Sequence, residues 1–228
     1  MTRWHSELAQ FEQPHHSTVA FERFLAGHGC LVPGTRVLDA GTGLGAVPHY
    51  LRRKHPDVRF TGVDYNADKI AASLAAGVEL EVADWFRLPP PHYGAYDGVI
   101  SVHAICTCLH IEDGLAPLMA LNPGWIAINS LFYDGPLDVL IHIRNHERLA
   151  SDLSSDGDFN VFSLERTAAA FAEQWYEMIS EPFFPPEALP RKPGRGTYTM
   201  RTELHEHTQF SGPVHLPWHF VLGRRHAA

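Results

Sequence analysis

Apolar residues recur along the chain in two rhythms. Continuous runs of four to six alternate with stretches whose apolar positions fall every third or fourth residue. The run TRVLDAG reads as a buried strand. LGAVPHYLRRKHP follows as a helix that Pro56 closes. VRFTGVD is a second strand, NADKIAASLAAG a helix with Gly77 as its stop, and VELEVAD a third strand. YDGVISVHA, EDGLAPLMALN and GWIAINSLF continue as strand, helix and strand. Upstream, residues 1–35 read as helical, most clearly in STVAFERFLAGHG. Ser17 or Thr18 fits the N-cap there, Phe21, Phe24 and Leu25 share a face, and Gly27 and Gly29 end the helix.

The alternation breaks after Phe132. Asp134-Gly135 between two apolar runs predicts a hairpin. SLERTAAAFAEQWYEMI predicts one amphipathic helix, with Leu164, Phe171, Trp175 and Met178 on a common side. TYTMRTEL and PWHFVLGRR are expected as a closing antiparallel strand pair. The pattern is that of a Rossmann-like α/β fold. We expect a seven-stranded, mostly parallel sheet with helices on both faces, a C-terminal antiparallel strand pair and a small cap. One domain is expected: a helical lid over residues 1–34, a cofactor-binding core over 35–132, and cap elements with closing strands over 133–228.

Composition narrows the partners. The chain has 228 residues, 45% of them hydrophobic, enough for a full core. A net charge of -8 argues against a nucleic-acid partner. No basic cluster suits an anionic membrane, and no apolar run approaches a membrane span. Three cysteines, Cys30, Cys106 and Cys108, do not make a disulfide framework, and the N-terminus has no apolar signal region. A cytoplasmic protein is expected, and a homodimer stays open.

The chemistry concentrates in VLDAGTGLG. A strand, a glycine turn and a helix start make a site for a close-fitting ligand. Gly41, Thr42, Gly43 and Gly45 form the turn, and no Gly-Lys-Ser/Thr follows, so it is not a P-loop. Asp39 stands before the turn, Asp64 ends the second strand and Asp84 the third. A carboxylate at the loop mouth suits an ammonium better than a pyrophosphate. The motifs VLDAGTGLG, GVDYN, VADWF and YDGVISVHA, in this order, resemble the class I S-adenosylmethionine-dependent methyltransferases over roughly Arg36 to Phe132. HHSTVAF and GTYTM…FSGPVHLPWHF are similar to a bacterial subgroup of that family, of the small-molecule type. The resemblance implies S-adenosylmethionine as cofactor. It implies that Asp39, Gly41 and Gly43 line the methionine end, and that Asp64 holds the ribose. Tyr65, Asp84 and Trp85 would flank the adenine, and Ser101 and His103 would face the sulfonium.

For catalysis, His103 is the first candidate as base or acceptor-orienting group, with His110 second. Packed or solvated histidines are the competing reading. His15, His16, Tyr133 and Trp218 are candidates for substrate contact. The tail histidines His205, His207, His215 and His219 lack the ordered spacing of a metal site, so no metal is expected. The expected function is methyl transfer to an oxygen or nitrogen of a small molecule, natural-product or sugar-like. An NAD-dependent oxidoreductase, a non-catalytic S-adenosylmethionine binder, and an RNA or protein methyltransferase are the alternatives.

Overall fold

The computed structural model describes residues 5–144, 156–191 and 197–226. In chain order the elements are α1 (His5–Leu8), α2 (His16–Gly27), β1 (Arg36–Ala40), α3 (Ala46–Lys54), β2 (Arg59–Asp64), α4 (Ala67–Ala71) and β3 (Glu79–Val82). β4 (Gly98–Val102), α5 (Ile111–Ala120), β5 (Trp125–Tyr133), β6 (His142–Arg144), β7 (Asp156–Asp158) and β8 (Phe162–Ser163) follow. α6 (Leu164–Glu173), β9 (Tyr176–Pro182), β10 (Thr197–Met200), β11 (Thr208–Ser211), β12 (Val214–His215) and β13 (Trp218–Arg225) complete the described chain.

The main sheet runs β3-β2-β1-β4-β5-β13-β9, with β8 pairing β5 beside this path. The strands β1 to β5 pair in parallel, and β13 is antiparallel to both β5 and β9. Both faces of the sheet are covered. Phe21, Phe24 and Leu25 of α2 and Leu51 of α3 pack on Val37, Ile100 and Ala127. Leu115 and Leu118 of α5 and Phe171 of α6 pack on the other face, against Leu38, Val99 and Ile126. This two-sided burial is why the central strands read as continuous apolar runs. Among the described residues, no helix is long and apolar enough to cross a membrane.

Several expected boundaries differ. α2 begins at His16 with His15 as N-cap, so Ser17 and Thr18 lie inside the first turn rather than capping it. α4 is only one turn long, and Gly77, at φ 76°, bends a later turn instead of ending a helix. The helix α6 stops at Glu173, because Trp175 takes φ 64° and sends the chain into β9. Trp175 is 74% exposed and Met178 lies on a strand, so neither extends the helical stripe.

Asp134-Gly135 does not close a hairpin on β5. Ser163 holds this segment instead, its Oγ donating to the Gly135 carbonyl at 2.6 Å and its N–H to Asp138 Oδ1 at 2.7 Å. TYTM pairs with β11, not with PWHFVLGRR. The latter is β13, which slots between β5 and β9. Within residues 133–228, β9 and β13 belong to the main sheet, while β6–β7 and β10-β11-β12 form two separate small sheets.

Two glycines make this sheet possible. A Cβ on Gly98 would lie 2.0 Å from the indole of Trp125, its cross-strand partner. A Cβ on Gly223 would lie 2.2 Å from the Phe171 ring. Both rings are core, so neither can move aside cheaply. Gly98→Ala and Gly223→Ala should each lower stability by about 1–3 kcal/mol, the range for overpacking. Urea unfolding of the two variants checks this, and unchanged midpoints would refute it.

Candidate active site

The site begins where β1 meets α3. Gly41, Gly43 and Gly45 all take left-handed φ, at 80°, 59° and 77°. The three do different jobs. A Cβ on Gly41 would meet Ala104 at 2.6 Å, and one on Gly45 would meet Ala75 and Leu80 at 3.1 Å. These two let the loop pack against protein. Gly43 is the open one, with only Glu7 Oε2 and Lys69 Nζ near its Cβ position, at 3.9 Å each.

The loop's amides are largely spent. Gly41 and Thr42 donate to the Val63 carbonyl, Gly45 donates to Thr42, and Gly43 donates to Asp64 Oδ2 at 2.8 Å. Asp64 Oδ1 takes the N–H of Asn66 at 2.9 Å. Pro48, in the first turn of α3, has no N–H to give. A pyrophosphate needs a nest of free amides at such a helix start. Here the amides of Leu44, Ala46 and Val47, at the helix start, are the ones left without an acceptor among the described residues.

A cavity of about 210 Å³ opens beside the loop. Gly41, Thr42, Gly43, Lys69, Glu7, Gln10, Thr18, Val102, His15 and His103 are among its walls. Glu7 on α1 and Lys69 on α4 form an ion pair of 2.9 Å across its rim. A second cavity of about 670 Å³ adjoins it, with His15 and His103 in both walls. Phe159, Phe183, Leu189 and Trp218 give the second cavity apolar surface, and Gln13, His16 and Gln209 add polar groups. Its size and lining are those of a small-molecule site.

His103 stands between the two cavities. It follows β4 and holds φ 58°, a rare conformation for a residue with a Cβ. Its N–H donates to the Asn129 carbonyl at 2.9 Å, and its ring lies 4.5 Å from that of Trp218. The side chain lines both cavities. Desolvation, and then His15 nearby, push its pKa down to about 4, which keeps the imidazole neutral at pH 7. Burial, and then His16, lower the pKa of His15 in the same direction.

Other expected residues sit elsewhere. Asp39 is beneath the loop, not on the cavity wall. Its Oδ2 accepts from Thr42 Oγ1 at 2.6 Å, and its Oδ1 has no partner among the described residues. Ser101 is fully buried inside the sheet, with its Oγ also unpartnered among the described residues. Tyr65 is 76% exposed. Asp84 caps the turn Trp85–Arg87 by accepting from the Phe86 N–H at 3.0 Å. Trp85 is buried beside Gly41, stacked on Phe86 with centroids 3.9 Å apart.

Two expected residues lie away from both cavities. His110 is exposed at the start of α5 and lines neither cavity, because the turn Ile105–Thr107 carries the chain away from the edge. Tyr133 is exposed at the end of β5 and lines neither cavity. Of the tail histidines, His205 stacks on Phe184, and His207 Nδ1 bonds the Pro185 carbonyl. Among the described residues, no group of three His, Cys, Asp or Glu side chains could hold a metal.

A sheet of this order with a glycine loop after β1 defines the α/β proteins that bind a cofactor at the carboxyl edge. Comparison with known proteins narrows that class. Residues 37–120 match the family model described as a methyltransferase domain. Phosphoethanolamine N-methyltransferase 1 of Arabidopsis thaliana is 36% identical over 91 residues, which are 36% of this chain and 17% of that protein. The match thus spans under a fifth of the plant protein's length.

The structure of Burkholderia thailandensis 1,6-didemethyltoxoflavin-N1-methyltransferase, with 1,6-didemethyltoxoflavin and S-adenosylhomocysteine bound, superposes with a TM-score of 0.57. It is 16% identical, over 98% of this chain and 86% of that one. Magnesium protoporphyrin IX methyltransferase from Synechocystis PCC 6803 superposes at 0.56, with 11% identity over 99% and 89% of the two chains. Over residues 37–120 the chain is thus similar to a methyltransferase domain, and these solved structures, each under 25% identical, share its fold.

Asp39 gives this site a pH signature. Burial, with Asp64 adding repulsion, raises its pKa from 3.8 to about 7, against the Thr42 hydrogen bond. Between those values the folded protein keeps a proton that the unfolded chain has lost. Stability from this group therefore falls as pH rises from about 4 to about 7, and then levels off. Asp39→Asn should remove the decline, so its melting temperature should gain on the wild type across this window. Parallel curves would show that Asp39 ionises normally.

Proposed function

We infer that the protein transfers the methyl group of S-adenosylmethionine to an oxygen or nitrogen of a small molecule. The observation that carries this is the shared wall. The glycine-loop cavity and the larger aromatic cavity meet at His15 and His103. A donor held in one and an acceptor held in the other would have their reacting atoms at that boundary. The Asp64 carboxylate on the Gly43 amide favours this cofactor over a dinucleotide.

The residues present suit the cofactor. Glu7 and Lys69 bring both signs of charge to the rim beside Gly43, which matches a zwitterionic methionine end. Asp39 adds a buried carboxylate under the loop. Bound S-adenosylmethionine supplies an already activated methyl group, so the protein's work is alignment and exclusion of water.

His103 does the aligning. Its neutral ring can accept a hydrogen bond from an acceptor O–H or N–H. A pKa far below neutral makes it a poor store for a transferred proton, so orientation suits it better than general-base work. Trp218 fixes the ring from one side and Phe159 packs edge-on against Trp218 at 6.0 Å. His16 and Trp218 are proposed substrate contacts. His15, at both cavities, completes the boundary.

Mass spectrometry of the purified, denatured protein tests the cofactor, with S-adenosylhomocysteine as the expected companion. Release of S-adenosylhomocysteine over a panel of phenols, amines and hydroxy compounds then tests the activity. With any acceptor so found, His103→Ala should lower kcat by about a hundredfold, the scale of a misplaced reactant, with S-adenosylhomocysteine affinity kept. The kcat of the wild type should show no inflection near pH 6.5. Stabilisation by NADH and by neither sulfur compound would overturn the reading.

A further inference from the structure

A third and larger cleft lies between α2 and the chain that leaves β9, with a volume of about 880 Å³. His16, Ala20, Arg23 and Gly27 form one stripe of α2 along it. Phe183 and Phe184 line it too, and His205 stacks on Phe184 with centroids 4.1 Å apart. His16 and Phe183 belong to the acceptor cavity as well, so the two spaces share a boundary.

The charge of this cleft runs against that of the molecule. The chain carries a net charge of -8. Yet Arg23, His16, His28 and His205 line the cleft with one acid, Glu181. Glu181 is already engaged, its Oε1 lying 3.3 Å from His28 Nε2. Arg23 has no hydrogen-bond or ion-pair partner among the described residues. His205 Nδ1 accepts the His207 backbone N–H at 2.9 Å, which leaves the ring proton on Nε2 as a donor. A guanidinium fork and an imidazole donor above aromatic rings make a receptor for an oxyanion on an apolar stem.

We propose that this cleft is an anion-binding subsite for the far end of the methyl acceptor. The acceptor is then a small molecule with an apolar middle and a phosphate or carboxylate remote from the methylated atom. Its reacting end meets His103, its middle lies along Trp218, Phe159 and Phe183, and its anion reaches Arg23 and His205. The assignment of the ends rests on the methyltransferase reading, whereas the anion site stands on the cleft alone.

The test is isothermal titration of the full chain with S-adenosylhomocysteine, phenyl phosphate, phenylacetate and uncharged phenol. Failure of S-adenosylhomocysteine to bind removes the methyltransferase reading and leaves the cleft to the three aromatic probes. At least one anionic probe should bind roughly tenfold more tightly than phenol, as a charge-assisted contact would give. The tighter of the two anions identifies the group as phosphate or carboxylate. Arg23→Gln should erase the preference and Arg23→Lys should keep part of it, both with unchanged S-adenosylhomocysteine affinity. Equal binding of phenol and the anions, or full anion binding by Arg23→Gln, would overturn the subsite.

Discussion

The carboxyl edge of this protein is organised by one turn, the passage from β1 into α3. A parallel strand must reverse there without leaving buried amides unpaired. The end of β2 solves the problem: the Val63 carbonyl takes two loop N–H groups and the Asp64 carboxylate takes a third. The loop is thereby tied to its neighbouring strand. Its tie sets the direction of α3, seats Ala104 against Gly41 and leaves Gly43 as the open face. Both cavities are defined relative to that arrangement.

The same bonding separates two uses of a glycine loop that look alike in sequence. A dinucleotide site keeps amides free for phosphate oxygens. Here they stabilise the protein's own backbone, and a carboxylate is among their acceptors. A second anion at Gly43 would meet the Asp64 carboxylate that already holds this amide. A ligand carrying an ammonium or sulfonium meets no such opposition.

The central strands were legible because a parallel sheet covered on both faces demands continuous apolar runs, as in β1 and β5. Partners far apart in sequence were not legible. β13 pairs with β5 and β9 and seats Phe171 of α6 on Gly223, and no local pattern announces such a fit. The end of α6 escaped for a related reason. Trp175 and Met178 continue a helical stripe in sequence, but pairing of Tyr176–Pro182 with β13 outweighs helical propensity. At the site, the glycines, His103 and Trp218 carried recognisable signals. Glu7, Lys69, Phe159 and Gln209 did not, because each comes from a segment whose local chemistry is ordinary. Only the fold brings them to one edge.

His103 shows how fold and site are joined. A side chain held at left-handed φ costs about 1–2 kcal/mol. The structure meets that cost with the Asn129 hydrogen bond and the Trp218 contact. An extended residue there would continue β4 and direct its ring along the sheet. The left-handed turn instead sets the imidazole at the boundary of two cavities and leads the chain at once into the buried turn Ile105–Thr107. Strain of this kind persists where the surroundings over-determine the conformation. Here they fix a neutral hydrogen-bonding group where two ligand spaces meet. The proposed alignment of a donor with an acceptor needs a group in that place, and this is why the site's chemistry is better read from the backbone of His103 than from its titration.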